Sequence, residues 1–480
     1  MAERTWRQPA RPLPPPARDE RHPFVRGLGL ADATAVVAGS MIGSGVFIVS
    51  ADIARQVGAP GWLMLVWGLT GVMTIIGALS YGELAAMMPY AGGQYVYLRE
   101  AYGPLVGFLY GWSLFLVIQT GTIAAVAVAF AKFTAVLLPV LDAQLHVGGW
   151  TVTAQQCLAI VVIAVLTGAN CDGLHTGRLV QNVFTLTKVG SLGALVIFGL
   201  ALGRDAGAIS ENWRDVWGPP SLSWGLLPTC GAAMVGSLFS SDAWNNITFA
   251  AAEVRDPART VPRSLVIGTA LVTVLYVSAN VVYLAVLPLH GTAGAGAAMA
   301  RGIQFAISDR VGTAAMEVML GQPGALVMAV GIMISTFGCV NGIILAGARV
   351  YYAMAQDGVF FSVAGMLNTR RVPAAALVLQ GLWASLLALT GTYSDLLDYV
   401  IFAALLFYAL TVGGIFVLRR TRPQAPRPYR AWGYPVVPAL YITLATLIMI
   451  DLLIVKPRYT WPGLLIVASG APVFAWWRRR

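Results

Sequence analysis

Two short stretches interrupt long apolar runs, and they carry most of the chemistry this sequence offers. The first is "GSMIGSGVFI", residues 39–48, where Gly39, Gly43 and Gly45 alternate with Ser40 and Ser44. The second is "SLFSSDAWNN", residues 237–246, which sets Ser240, Ser241, Asp242, Asn245 and Asn246 across an apolar run. A glycine weakens a helix interior by about 1 kcal/mol, and polar side chains in a bilayer need partners, so both stretches read as places where a membrane helix comes apart. Freed backbone groups survive there only against protein or a water-filled cavity. A broken helix offers N–H groups and a positive dipole end to an anion, and free carbonyls to a cation. A zwitterion with a carboxylate and an ammonium suits both. The competing reading of Gly39-x-x-x-Gly43 is a packing face for another helix. For Ser240 and Ser241 it is hydroxyls bonded back to their own helix.

Two deep charges accompany these stretches. The chain has only three lysines, Lys132, Lys188 and Lys456. Lys188 falls about ten residues into its apolar run, roughly 15 Å deep at helical rise. An ammonium at that depth marks a functional site by default; coupling or gating competes with a structural cation bonded to helix carbonyls. Asp242 has four readings: attracting a cationic side chain, pairing with Lys188, carrying a proton, or bonding N–H groups at the break. Glu83 and Arg349 lie nearer the ends of their runs and read as gate or interface residues. Phe239 and Trp244 flank the second break as candidate gating aromatics, although packing is the commoner role.

Enzyme chemistry has little to work with. The four histidines, His22, His146, His175 and His290, fall in tails or loops without metal-ligand spacing. Cys157, Cys230 and Cys339 lie in apolar runs and Cys171 in a short loop, with no spacing for a metal or a disulfide framework. No catalytic residue, metal or cofactor is expected.

The elements that must position these residues follow from composition. The 480 residues are 58% hydrophobic and 11% charged, with a mean hydropathy of +0.72. So few charges cannot cover a soluble protein. The apolar runs are helix-length, which disfavours a β-barrel. About twelve spans are expected, at 30–57, 62–88, 104–136, 150–170, 178–203, 225–252, 264–288, 324–354, 373–391, 395–418, 433–454 and 461–477. Arginines gather in the N-terminal tail and in every second loop, notably at Arg255, Arg259, Arg263 and "RRTRPQAPRPYR", which puts both termini in the cytoplasm. Residues 1–27, rich in Pro and Arg, read as a disordered cytoplasmic tail, and "GAAMARGIQFAISDRVGTAAMEVML" as a short external helix.

The two breaks lie five spans apart. That spacing suits an inverted-repeat transporter, with spans one to five repeated as six to ten and the substrate at midplane between the broken helices. The expected organisation is a tail at 1–27, a transport core at 28–420 with halves near 28–204 and 222–420, and two extra helices at 421–480.

Four motifs bear a wider resemblance. "AVVAGSMIGSGVFI", "MPYAGGQYVYLREAYGPLVGFLYGW", "WNNITFAAAEVRDPARTVPRSL" and "STFGCVNGIILAGARVYYAMAQDG" resemble the amino acid–polyamine–organocation superfamily, and within it the L-type amino acid transporter group. The similarity runs from about residue 28 almost to the end. It implies an all-α polytopic membrane protein with the five-plus-five fold. It also implies a sodium-independent exchanger of neutral L-amino acids in a bacterial inner membrane.

The substrate residues it implies are Ser40, Met41, Ile42, Gly43, Ser44, Gly45, Phe239, Ser240, Ser241, Asp242 and Asn245. The carboxylate would lie on Gly43-Ser44-Gly45. The ammonium would lie on carbonyls near Met41 and over Phe239–Asp242, with Phe239 as the gating aromatic. Lys188 matches a lysine that replaces a sodium ion in such proteins, bridging helices one and eight near Gly43 and Ser335. The sequence departs from the group at Ser241-Asp242-Ala243, where an aromatic and glycines are usual, and Asp242 resembles members that accept cationic amino acids. "PVLDAQLHVGGW" lacks the cysteine that joins some relatives to a heavy chain, so no disulfide-linked partner is expected. A proton-coupled symporter and a non-transporting amino acid sensor are the remaining alternatives.

Overall fold

The computed structural model describes residues 26–147, 150–172, 174–218, 226–390 and 393–479. The expected tail therefore lies, up to residue 25, outside the described residues. Span one is split into α1 (Leu30–Met41) and α2 (Gly45–Val57), bent by 40° at the break. Span two is α3 (Pro60–Met87), and α4 (Gln94–Tyr102) fills the following loop. Span three joins α5 (Pro104–Ser113), a π-helical turn at Leu114–Ile118, and α6 (Gln119–Leu137). Then come an antiparallel hairpin, β1 (Gln144–Val147) and β2 (Trp150–Thr153), and α7 (Ala154–Cys171). Span four thus begins at residue 154, not 150, because Thr153 caps the helix reciprocally with Gln156.

Spans five and six are α8 (Leu174–Ala201) and the pair α10 (Leu226–Ser240) and α11 (Asn246–Phe249), with α9 (Ala206–Arg214) between them. Span seven is α12 (Pro257–Val286). The single helix expected over 296–320 is instead α13 (Ala298–Arg301), a 3-10 turn at Ile307–Asp309, and the first turns of α14 (Val311–Gln356). Positive φ at Gly302, Ser308 and Asp309 breaks the run. The last four spans are α15 (Ala374–Thr390), α16 (Tyr393–Thr421), α17 (Val436–Val455) and α18 (Pro457–Trp477). Proline opens α3, α5, α12 and α18, where its missing N–H costs nothing. Among the described residues, eight helices are long and apolar enough to cross a membrane, nine with the bent α1–α2 pair.

Packing repeats with a period of five spans. Span two packs on seven (α3 on α12), three on eight (α6 on α14), four on nine (α7 on α15), and α2 on α10. Other contacts come in matched sets: α1 with α12 mirrors α10 with α3, and α8 with α14 mirrors α16 with α6. An internal two-fold relation predicts this pattern. It brings the two interrupted helices, from the equivalent spans one and six, side by side.

Candidate functional site

The first break runs from Ile42 to Ser44. Ile42 takes an extended conformation, ψ 93°, which ends α1 and frees its last carbonyls. Side chains from three other helices meet five consecutive carbonyls there. The Lys188 ammonium on α8 donates to Gly39 O at 2.6 Å. The Cys339 thiol on α14 lies 3.1 Å from Ser40 O. The Tyr276 hydroxyl on α12 donates to Met41 O at 2.9 Å. The Ser335 hydroxyl on α14 lies 3.2 Å from Ile42 O and 3.1 Å from Gly43 O. The backbone cost of the break is thus offset by fixed donors.

The second break spans Ser241 to Asn245, with Ala243 at φ 63°, a left-handed conformation unusual for a residue with a Cβ. Side chains rather than carbonyls organise it. Tyr408 on α16 donates to Asp242 Oδ1 at 2.5 Å. Asn245 Nδ2 donates to Gln94 Oε1 at 2.8 Å, and Gln94 Nε2 donates to Thr411 Oγ1 at 3.0 Å. The Trp244 ring packs edge-on against Tyr81 at 4.7 Å and tilted on Tyr408 at 5.4 Å.

The breaks touch each other at two points. Tyr276 also lies 3.0 Å from Ser240 O, so its single proton is shared between the ends of α1 and α10. A methyl group at Gly45 would sit 2.1 Å from Ser240 Oγ and 2.9 Å from its Cα. Gly45 is required for this close approach; Gly43 is looser, its nearest neighbour being Cys339 Sγ at 3.3 Å. Of the Gly39-x-x-x-Gly43 pair, Gly43 faces α14 at the break, while the tight contact with α10 belongs to Gly45.

Two narrow cavities adjoin the second break. One is lined by Asp242, Asn245, Asn246, Tyr408, Gln94 and Gln119, among others. The other is lined by Ser241, Asp242, Trp244, Tyr408, Thr74 and Tyr441, among others. Asp242, Ala404 and Tyr408 form the wall common to both. Ser40, Met41, Ile42, Gly43, Ser44, Gly45, Phe239 and Ser240 are buried beside these cavities and line neither. Lys188 does not pair with Asp242 among the described residues; it holds Gly39 O, while Ser335 serves the carbonyls two and three residues on. Tyr276, Tyr408 and Thr411 lie outside the quoted motifs, and their only signal is a lone hydroxyl in an apolar helix; Gln94 lies inside "MPYAGGQYVYLREAYGPLVGFLYGW", where nothing local marks it as a partner of Asn245. Among the described residues, no group of three or more His, Cys, Asp or Glu could hold a metal.

The far ends of the broken helices are also tied. Gly27 and Leu28 N–H groups donate to Glu253 O at 2.9 and 3.1 Å, and Arg255 N donates to Leu28 O at 2.8 Å. The buried Arg349 guanidinium on α14 then pairs with the Glu253 carboxylate at 2.9 Å. Glu83 is held by Arg419 at 2.6 Å and Arg427 at 3.2 Å. In the α4 loop, burial and the nearby Asp357 carboxylate push the Tyr95 phenol up, so it stays a donor to Asp357 at 2.6 Å. Both charges singled out near the span ends therefore join elements.

The family described as amino acid permease matches residues 28–470. The b(0,+)-type amino acid transporter 1 of Homo sapiens is 29% identical over 449 residues, 92% of this chain and 86% of that protein. The large neutral amino acids transporter small subunit 2 of Oryctolagus cuniculus is 30% identical over 451 residues, 93% of this chain and 79% of the relative. The Asc-type amino acid transporter 1 of Mus musculus is 28% identical over 470 residues, 96% and 83% of the two chains.

Proposed function

The chain belongs to the amino acid permease family, a transporter rather than an enzyme, and on that footing we propose that it exchanges neutral L-amino acids without sodium. The substrate carboxylate meets the N–H groups of Gly43, Ser44 and Gly45 at the start of α2, where the helix dipole favours an anion. The ammonium meets Met41 O and the carbonyls at the end of α10, including Ser240 O. Tyr276 spans those two carbonyls now, and each keeps a second lone pair. Phe239 covers the site, Trp244 packs behind it, and Ser40, Ile42, Ser241, Asp242 and Asn245 complete its wall. Alternating access follows if α1, α2, α10 and α11 tilt together, which their ties to one another favour.

The observation that carries sodium independence is the run of carbonyls from Gly39 to Gly43, each met by a protein side chain, one of them an ammonium. A cation that the protein supplies itself removes the need for one from solution. Counterflow in sodium-free proteoliposomes tests this. Internal unlabelled neutral amino acids should stimulate entry of labelled substrate at least several-fold, with no pH gradient. Stimulation only by internal arginine or lysine favours the second reading, in which Asp242 selects cationic substrates. Uptake that requires an inward proton gradient makes it a symporter, and no flux at all leaves a sensor.

Residues 28–420 form the transport core in this reading. The protein sits in a bacterial inner membrane with both termini cytoplasmic and acts without a disulfide-linked heavy chain. Cys157 is the cysteine to watch. It is exposed on the first turn of α7, just after the loop where such a bond forms in heavy-chain-linked relatives. Equal transport by Cys157→Ser, with no reducible higher band on a gel, supports independence.

A further inference from the structure

The cavity lined by Thr74, Ser241, Trp244 and Tyr441 lies behind the second break, and one of its walls comes from α17, outside the ten-span repeat. Tyr441 is 3% exposed. Its side chain lines the cavity beside Asp242, Ser241 and Thr74. A buried hydroxyl usually has a partner. Two features aim it there. Gly77 on α3 leaves room for the ring: a methyl at that position would lie 3.0 Å from Tyr441 Cε2 and 3.4 Å from Trp244 Cζ2. Asp242, on the wall shared with the other cavity, lines this one together with Tyr441.

The remaining polar groups are mostly acceptors. Thr74 has spent its proton on Thr70 O at 2.9 Å, and Asp242 accepts from Tyr408. The space between them is narrow and admits about one water-sized group. Met73, Leu238, Ile401 and Leu405 make the rest of the wall apolar. A guanidinium, or the long chain that carries a lysine ammonium, would need more room than this. A hydroxyl fits in size and can donate to Asp242 while accepting from Tyr441.

We propose that this cavity is a side-chain subsite of the transporter and that Tyr441 selects small amino acids whose side chain ends in a hydroxyl over their apolar isosteres. The inference rests on the amino acid exchange proposed above and narrows its substrate class.

The test is kcat/KM for serine against alanine, and for threonine against valine, in proteoliposomes of the full chain. Wild type should favour the hydroxyl-bearing member of each pair, because a site built to bond a hydroxyl is left with unpaired groups by its isostere. Tyr441→Phe should cut both ratios about ten-fold, the scale of one buried hydrogen bond. Gly77→Ala should cut them in the same direction, since it displaces the ring and keeps the hydroxyl. A wild type that prefers alanine and valine overturns the subsite. So does a Tyr441→Phe protein in which both members of each pair change alike, which would make Tyr441 a packing residue. A wild type that carries no amino acid of either kind in counterflow overturns the exchange reading itself, and the subsite with it.

Discussion

The two breaks come from equivalent positions of the repeat, yet they are built in opposite ways. At the first, the backbone is what is organised, and side chains from α8, α12 and α14 hold five successive carbonyls in place. At the second, side chains do the organising, and Asp242, Trp244 and Asn245 face two cavities. All α-amino acids share the same backbone groups and differ only beyond them. A break made of backbone therefore suits what every substrate has in common, and a break made of side chains suits discrimination. The division predicts that damage at the first break weakens all substrates alike, while damage at the second changes their ranking.

The largest expected effect is at the point where the breaks touch. Gly45→Val would drive a side chain into Ser240, so α2 and α10 must separate. Exchange of every substrate should fall more than about 100-fold, as expected when an overpacked contact costs roughly 3 kcal/mol. Gly45→Ala combined with Ser240→Gly, which removes the clashing Cβ and Oγ, should recover part of the loss. Measured counterflow in Gly45→Val near wild-type level would place the substrate elsewhere.

Next is Lys188→Met, which deletes a charge-assisted bond and leaves Gly39 O without that donor. Such bonds contribute about 1.5–3 kcal/mol, so transport should drop roughly 10- to 100-fold, equally for every amino acid. A change in the ranking of substrates instead would break the proposed division of labour.

These predictions rest on residues of very different legibility. Lys188 was visible because an ammonium cannot sit deep in an apolar run without a reason. The breaks were visible because glycine and polar side chains at midplane contradict a continuous helix. The five-span repeat of packing followed from the spacing of those breaks. Tyr276 and Tyr408 were not visible. A tyrosine in a membrane helix is compatible with plain packing, and nothing local distinguishes one whose hydroxyl spans two helix ends. Gly45 by itself signals freedom for the chain to unwind, whereas its sharpest constraint is contact with a residue almost 200 positions away. Long-range contacts of that kind leave no local pattern. The same is true of the ring of Tyr441, whose seat is a glycine on α3.

Asp242→Asn moves the test to the second break. The bond from Tyr408 becomes a neutral one and loses about half its strength, on the order of 1 kcal/mol. The ratio of kcat/KM between polar and apolar substrates should shift about five- to ten-fold, with the sum of transport little changed. If arginine and lysine were wild-type substrates, their exchange alone would vanish, and the cationic reading would replace the neutral one.

The smallest effects compare the breaks most directly, through one hydroxyl at each. Ser335→Ala removes a donor shared between Ile42 O and Gly43 O. Thr411→Val removes the oxygen that accepts from Gln94, which in turn orients Asn245. Each is a single neutral hydrogen bond, worth about 0.5–1.5 kcal/mol, so each change should be about two- to ten-fold. The magnitudes do not separate the two, but the pattern across substrates does. Ser335→Ala should raise KM by one common factor for alanine, valine, serine and threonine, because it loosens the stretch whose N–H groups, in the proposed mode, meet only the carboxylate that all four share. Thr411→Val should change the four by unequal factors, because the loosened Asn245 lines a cavity that, in the proposed division, only side chains enter. Unequal factors in Ser335→Ala would mean that side chains reach the first break, and the two breaks would then form one undivided pocket.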